Sequence, residues 1–292
     1  MSTQALSIAL PASYCSADVL AFHARDAQGL AEQVSGEHIR KGVLLGGVPV
    51  LLDVTLTPDA AHCRIEADGA LAPATLARAQ EALRSILALR IDPAPFAAFV
   101  QDDPLFAPLV ARQPGLRIVQ SASVFEALTW AIIGQQINLP FAISLRRSFI
   151  EQAGRKHSSG LWCYPEAADV ARLNLEVLTS RKFSRAKAET LLRLARRVDD
   201  GELELRQDDD PARAAPLLLA IKGIGPWTVN YTLLRGYGYP DCSLEGDVAV
   251  RSALGKLLGE AAKPDQARTQ AWLARYRPHR TMAAAYLWAS LA

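Results

Sequence analysis

The stretch KGIGPWTVNY, residues 222–231, sets Gly223 and Gly225 two apart, follows them with Pro226, and then places Trp227 and Tyr231 four apart. Glycines that allow close backbone approach, a proline suited to a first helical turn and the bare amides of a new helix N-terminus together make an anion site. A lone GxG is better read as the connector of two antiparallel helices. Residues at i and i+4 share one helix face, so Trp227 and Tyr231 stand on the same side of the helix that the turn launches. Twenty residues beyond Trp227, Asp247 falls where DVAVRSALGKLLG starts a further helix, and by itself an aspartate there is a helix cap.

Charge and composition narrow the chemistry. Half of the 292 residues are apolar and 21% are charged, the profile of a globular protein with room for two or three cores. The net charge of +2 divides into 7 basic and 12 acidic side chains over residues 1–110 and 25 basic and 18 acidic over residues 111–292. Any polyanion partner therefore belongs to the C-terminal two thirds. Cys15, Cys63, Cys163 and Cys242 are too far apart for a CxxC zinc pair or an iron-sulfur run, and His23, His38, His62, His157 and His279 show no paired-ligand spacing. No apolar run is long enough for a membrane span and the N-terminus lacks the pattern of a signal peptide, so a cytoplasmic protein is expected.

The elements that must position these residues follow from periodicity. GVLLGGVPVLLDVTLTP (42–58) and HCRIEAD alternate apolar and polar residues and predict antiparallel strands, while PATLARAQEALRSILAL, from Pro73 to Leu89, has a helical period. The expected fold is α+β. A small antiparallel-sheet domain occupies residues 1–95, a proline-broken connector 96–122, and an all-α region of two helical subdomains 123–292. In the last region SVFEALTWAIIGQQ opens with Ser123 and Glu126 in capping-box spacing, FSRAKAETLLRLARRV predicts a helix with a basic outer face, and Asp208 to Asp210 precede Pro211 as a solvated helix start. Phe125 and Trp130 read as core.

Four blocks in this order, SVFEALTWAIIGQQI, FSRAKAETLLRLA, LLAIKGIGPWTVNYTLLRGYG and LEGDVAVR, resemble the helix-hairpin-helix DNA glycosylases, and within them the DNA-3-methyladenine glycosylase II (AlkA-type) family. With the α+β region and PGLRIVQS the likeness covers nearly the whole chain. It implies a monofunctional glycosylase that flips alkylated bases such as 3-methyladenine and 7-methylguanine out of duplex DNA and hydrolyses the glycosidic bond, leaving an abasic site.

The resemblance also distributes roles. Backbone amides around Lys222, Gly223, Ile224, Gly225, Trp227 and Thr228 would hold DNA phosphates, and the carbonyls near Ile221 and Ile224 a monovalent cation. Gln136 falls at the wedge position, which otherwise reads as a polar helix end. Trp227, Tyr231 and Trp288 would form the base pocket, where an alkylated, cationic purine gains about 0.5–2 kcal/mol per aromatic face. Asp247 would stabilise positive charge developing on the sugar. The family often has a second acid just before that aspartate. Here the residue is Gly246, with Glu245 the nearby acid. Trp227 stands where bifunctional relatives carry a lysine nucleophile, so no Schiff-base chemistry is expected. Arg181, Lys182, Arg185 and Lys187 would add a basic surround. A monomer acting on duplex DNA without a required cofactor is expected. The alternatives are an oxidised-guanine glycosylase and a non-catalytic hairpin module that binds DNA.

Overall fold

The computed structural model describes residues 1–291. The alternating N-terminal segments form strands β1 (Ser2–Ala9), β2 (Glu32–Ser35), β3 (His38–Leu45), β4 (Val48–Leu56) and β5 (Ala60–Ala67), and two short strands, β6 (Arg155–Lys156) and β7 (Trp162–Tyr164), join them. The sheet order is β1-β5-β4-β3-β7-β6, with β2 pairing β3. Gly46 and Gly47, at φ 64° and 77°, supply the left-handed turn that reverses the chain between β3 and β4. The amphipathic helix Pro73–Ile86 lays Ala79, Ala82, Leu83 and Ile86 against Ile39, Val50, Leu52, Val54 and Ile65 of the sheet.

Two expectations about organisation need correction. The sheet does not end with residue 95, because β7 adds to β3 in parallel, in register Gly42 with Cys163. Gly42 permits this approach, since a Cβ there would collide with the Trp162 carbonyl. Residues 96–122, expected as a proline-broken connector, also contribute to the core. Phe96, Val100, Phe106 and Leu109 sit in the same core as Val124, Leu128 and Tyr286, so the proline breaks shape short buried helices.

The helix Val124–Gly134 is buried on nearly every side and capped by the Ser123 hydroxyl, which accepts from the Glu126 amide. The reciprocal half of the expected capping box is absent. The Glu126 carboxylate instead accepts from the Ala122 amide, from Lys41 Nζ on β3 at 2.8 Å and from Arg146 at 2.9 Å. Lys41 and Arg146 also pair with Glu32 on β2, giving a four-membered buried ion cluster that locks the sheet to the helices. Burial alone would raise the Glu32 and Glu126 carboxyls, but Lys41 and Arg146 outweigh it, holding Glu32 well below the usual range and Glu126 below it.

Candidate active site and nucleic-acid interface

The opening turn is built by its own sequence. Pro211–Leu219 forms one helix, capped by Asp210, and Pro226–Thr232 the next, with Pro226 in the first turn and Gly225 at the cap. Gly223 has φ +98°, and a Cβ there would overlap the Thr190 side chain, so both conformation and space require glycine. Among the described residues no side chain caps the second helix, so the amides at its start are available to an outside acceptor. Ile224 leaves the expected phosphate set: its amide donates to the Ile221 carbonyl at 3.0 Å and its side chain is buried. Lys222, Gly223, Gly225, Trp227 and Thr228 remain on the turn or in the first helical turn. The Thr228 side chain is buried and its hydroxyl accepts from Gln135 at 2.9 Å.

Three of the turn's carbonyls already have protein donors. Ile221 accepts from Ile224, Lys222 from the Arg193 guanidinium at 2.9 Å, and Gly223 from Gln135 at 3.1 Å. Each of these oxygens keeps a second lone pair, so a cation at the carbonyls near Ile221 and Ile224 would share the turn with these donors.

Asp247 is the N-cap of the helix Val248–Leu257 and more besides. Its Oδ1 accepts from the Ala249 amide at 2.9 Å, the Val250 amide at 3.0 Å and the Trp288 indole at 3.1 Å, while Oδ2 accepts from the Trp227 indole at 3.0 Å. Three segments distant in sequence therefore fix one carboxylate. The cap reading and the catalytic reading describe the same geometry, because the backbone amides orient the group that the tryptophans hold from the side.

Asp247 lies between two concavities. On one side a groove of about 850 Å³ is lined by Gln136, Gly223, Gly225, Trp227 and Glu245. On the other a cavity of about 420 Å³ is lined by Trp130, Trp227, Tyr231, Arg235, Asp247 and Trp288, within the roughly 300–1,000 Å³ of small-ligand pockets. The Trp227 and Tyr231 rings lie 5.2 Å apart, tilted 31°. That contact leaves no slot between the two rings, so a planar ligand would have to stack against one of their outer faces or against Trp288. Gln136 is exposed at the end of the Val124–Gly134 helix with φ 56°, a left-handed conformation unusual for glutamine, and it borders the groove. Arg181, Lys182 and Arg185 are exposed. Lys187 is not part of a solvated charge run: its ammonium donates to the Ile133 carbonyl at 2.8 Å, and burial lowers its pKa.

Sequence reasoning missed three participants. Trp130 is buried as expected of core, yet it lines the cavity and its indole donates to the Tyr231 hydroxyl at 3.1 Å. Gln135, the neighbour of Gln136, ties the Val124–Gly134 helix to the hairpin turn. Its only sequence signal was the doubled glutamine at a helix end. Arg235, two turns on from Trp227, reaches the cavity with no local signature.

A carboxylate set where a groove meets an aromatic-lined cavity, beside a hairpin turn whose second helix has no side-chain cap, fits the class of base-excision DNA glycosylases. The chain belongs to the HhH-GPD superfamily of base excision DNA repair proteins, whose model matches residues 129–278, and it carries an AlkA N-terminal domain at residues 5–123. It is 32% identical over 202 residues to a DNA-3-methyladenine glycosylase of Bacillus subtilis, covering 68% of this chain and 67% of that relative. Among solved structures it resembles the 3-methyladenine DNA glycosylase of Archaeoglobus fulgidus, with a TM-score of 0.82, 22% identity and 97% of each chain covered. It also shares the fold of a Clostridium acetobutylicum 8-oxoguanine glycosylase/lyase in complex with duplex DNA, with a TM-score of 0.69, 16% identity, and 90% of this chain and 88% of that one covered.

Proposed function

We propose that the protein is a monofunctional DNA glycosylase that removes alkylated purines, 3-methyladenine and 7-methylguanine among them, from double-stranded DNA by hydrolysis. The observation that carries this reading is Asp247, held by two indoles and two helix amides at the junction of groove and cavity. As the glycosidic bond lengthens, positive charge grows on the sugar, and a carboxylate already fixed in place stabilises it without reorganisation. Amides of Gly223, Gly225, Trp227 and Thr228 anchor the backbone phosphates, and Gln136 enters the space the base vacates. Trp227, Tyr231 and Trp288 receive the base.

Water is the nucleophile, and no resident cofactor enters this scheme. A monovalent cation held by the carbonyls near Ile221 and Ile224 would brace the turn, whose Lys222 and Gly223 carbonyls are already tied by Arg193 and Gln135. The scheme needs no residue from a second chain, so a monomer working on DNA in the cytoplasm is part of the proposal. The oxidised-guanine reading is less favoured, because Trp227, and no lysine, occupies the hairpin position where a Schiff base would form. The test is to incubate methylated duplex DNA with the protein and borohydride. The expected result is free 3-methyladenine and 7-methylguanine by chromatography and no covalent protein–DNA adduct. A trapped adduct would refute the monofunctional mechanism, and no released base would refute the catalytic one.

A further inference from the structure

The cavity is not purely aromatic, because one of its walls is a permanent cation. Arg235 stands in the turn of π-helix that follows Pro226–Thr232, Leu233–Tyr237. Its guanidinium carbon lies 5.9 Å from the centre of the Tyr231 ring, 5.8 Å from that of Trp288 and 4.8 Å from that of Phe22. One terminal nitrogen donates to the Val119 carbonyl at 2.5 Å, and among the described residues Nε is buried with no hydrogen-bond partner. Behind it, Arg25 stacks at 3.7 Å on Phe22 and at 5.0 Å on Trp130, so two guanidinium groups share the Phe22 ring. Burial lowers the Arg25 pKa. The cavity lining thus carries a charged group of each sign, Asp247 and Arg235.

We propose that Arg235 is a specificity-determining residue, which favours lesion bases that enter neutral and leave as purine anions over bases that enter already cationic. The inference rests on the glycosylase reading above. When a neutral purine departs, the bond between C1′ and the purine nitrogen breaks with its electron pair on the purine, and a water oxygen bonds to C1′. The water's proton ends on the released base. Until that proton arrives the departing purine is negative, and Arg235 stabilises it. When a purine alkylated at a ring nitrogen departs, the same electron pair cancels a charge already present. The leaving base is neutral and gains little from the guanidinium. In the bound state that cationic base must also compete with Arg235 for the Tyr231 and Trp288 faces and is repelled by its charge. Cation–π attraction to the aromatic walls therefore favours alkylated bases while Arg235 opposes them, and the pocket accepts both classes.

The experiment measures single-turnover release of hypoxanthine, a neutral lesion, and of 7-methylguanine, a cationic one, from duplexes carrying each. Wild type, Arg235→Lys and Arg235→Met are compared. The ratio of the two rates within one preparation does not depend on the folded fraction, which covers the loss of the Val119 contact. The hypoxanthine to 7-methylguanine ratio should fall by about tenfold or more in Arg235→Met and stay within about threefold of wild type in Arg235→Lys. An unchanged ratio in Arg235→Met overturns the proposal, as does a wild type that releases 7-methylguanine but no hypoxanthine. A wild type that releases neither base overturns the glycosylase reading and this inference with it.

Discussion

Replacing Lys41 by methionine tests how the sheet is coupled to the helices that carry the site. The Lys41 side chain is 2% exposed and its partners Glu32 and Glu126 are 3% and 4% exposed. Methionine fills most of the volume but removes one of the two strong cations from a cluster of two carboxylates, leaving Arg146 to face both. Breaking a buried pair from one side costs about 3–5 kcal/mol, a large part of the roughly 5–15 kcal/mol that holds a domain together. At about 2–4 °C per kcal/mol this lowers the thermal midpoint by about 6–20 °C. Urea denaturation of the single variants Lys41→Met and Glu126→Gln and of the double variant forms the cycle. The double variant removes one charge of each sign, so it should be at least about 1 kcal/mol more stable than the sum of the single losses. A Lys41→Met loss below about 1 kcal/mol, or strict additivity, would refute the claim that the cluster is a coupled buried unit.

The same cluster sets an acid limit. Glu32 and Glu126 are lowered in the folded protein, so their contribution is fully present above the unfolded carboxyl value of about 4.3 and is lost as pH falls through the folded values. A urea midpoint that declines from about pH 4.5 downward should flatten in the Glu126→Gln variant. Gly223→Ala should cost about 1–3 kcal/mol through its φ of +98° and its conflict with Thr190, and should weaken DNA binding. Unchanged melting and unchanged affinity in a filter-binding assay would remove Gly223 from the clamp. Trp288→Phe keeps an aromatic ring but deletes the 3.1 Å bond to Asp247, a charge-assisted bond worth about 1.5–3 kcal/mol, so base release should slow about 10–100-fold with DNA affinity retained. Equal loss of affinity and rate would make Trp288 a binding residue only.

What could be read from the sequence was what lies close along it. The glycine–proline turn, the i and i+4 aromatics and the cap position of Asp247 each depend on a few neighbouring residues whose backbone demands are strong. The strands between residues 42 and 67 and the helix from Pro73 followed from periodicity for the same reason. The contacts that complete the site join distant segments: Trp130 meets Tyr231 across 101 positions, Lys41 meets Glu126 across 85, and Gln135 meets Thr228 across 93. Short-range periodicity carries no trace of such pairings. Glu126 shows the consequence most plainly, because its spacing from Ser123 predicts a local cap while its carboxylate is drawn to Lys41 and Arg146. Strand β7 was hidden because three residues are too few to show alternation, and its place beside β3 depends on Gly42.

The charge of Asp247 carries the proposed mechanism. Asparagine there keeps an oxygen for the Ala249 and Val250 amides and remains a good helix cap, so Asp247→Asn should fold and bind lesion-containing duplex. It removes the negative charge facing the sugar, worth about 4 kcal/mol for unit charges about 4 Å apart at an effective dielectric constant of about 20. Single-turnover release of 7-methylguanine should therefore fall about a thousandfold with duplex affinity unchanged. Release within about tenfold of wild type would contradict the assignment of Asp247 as the group that stabilises the transition state.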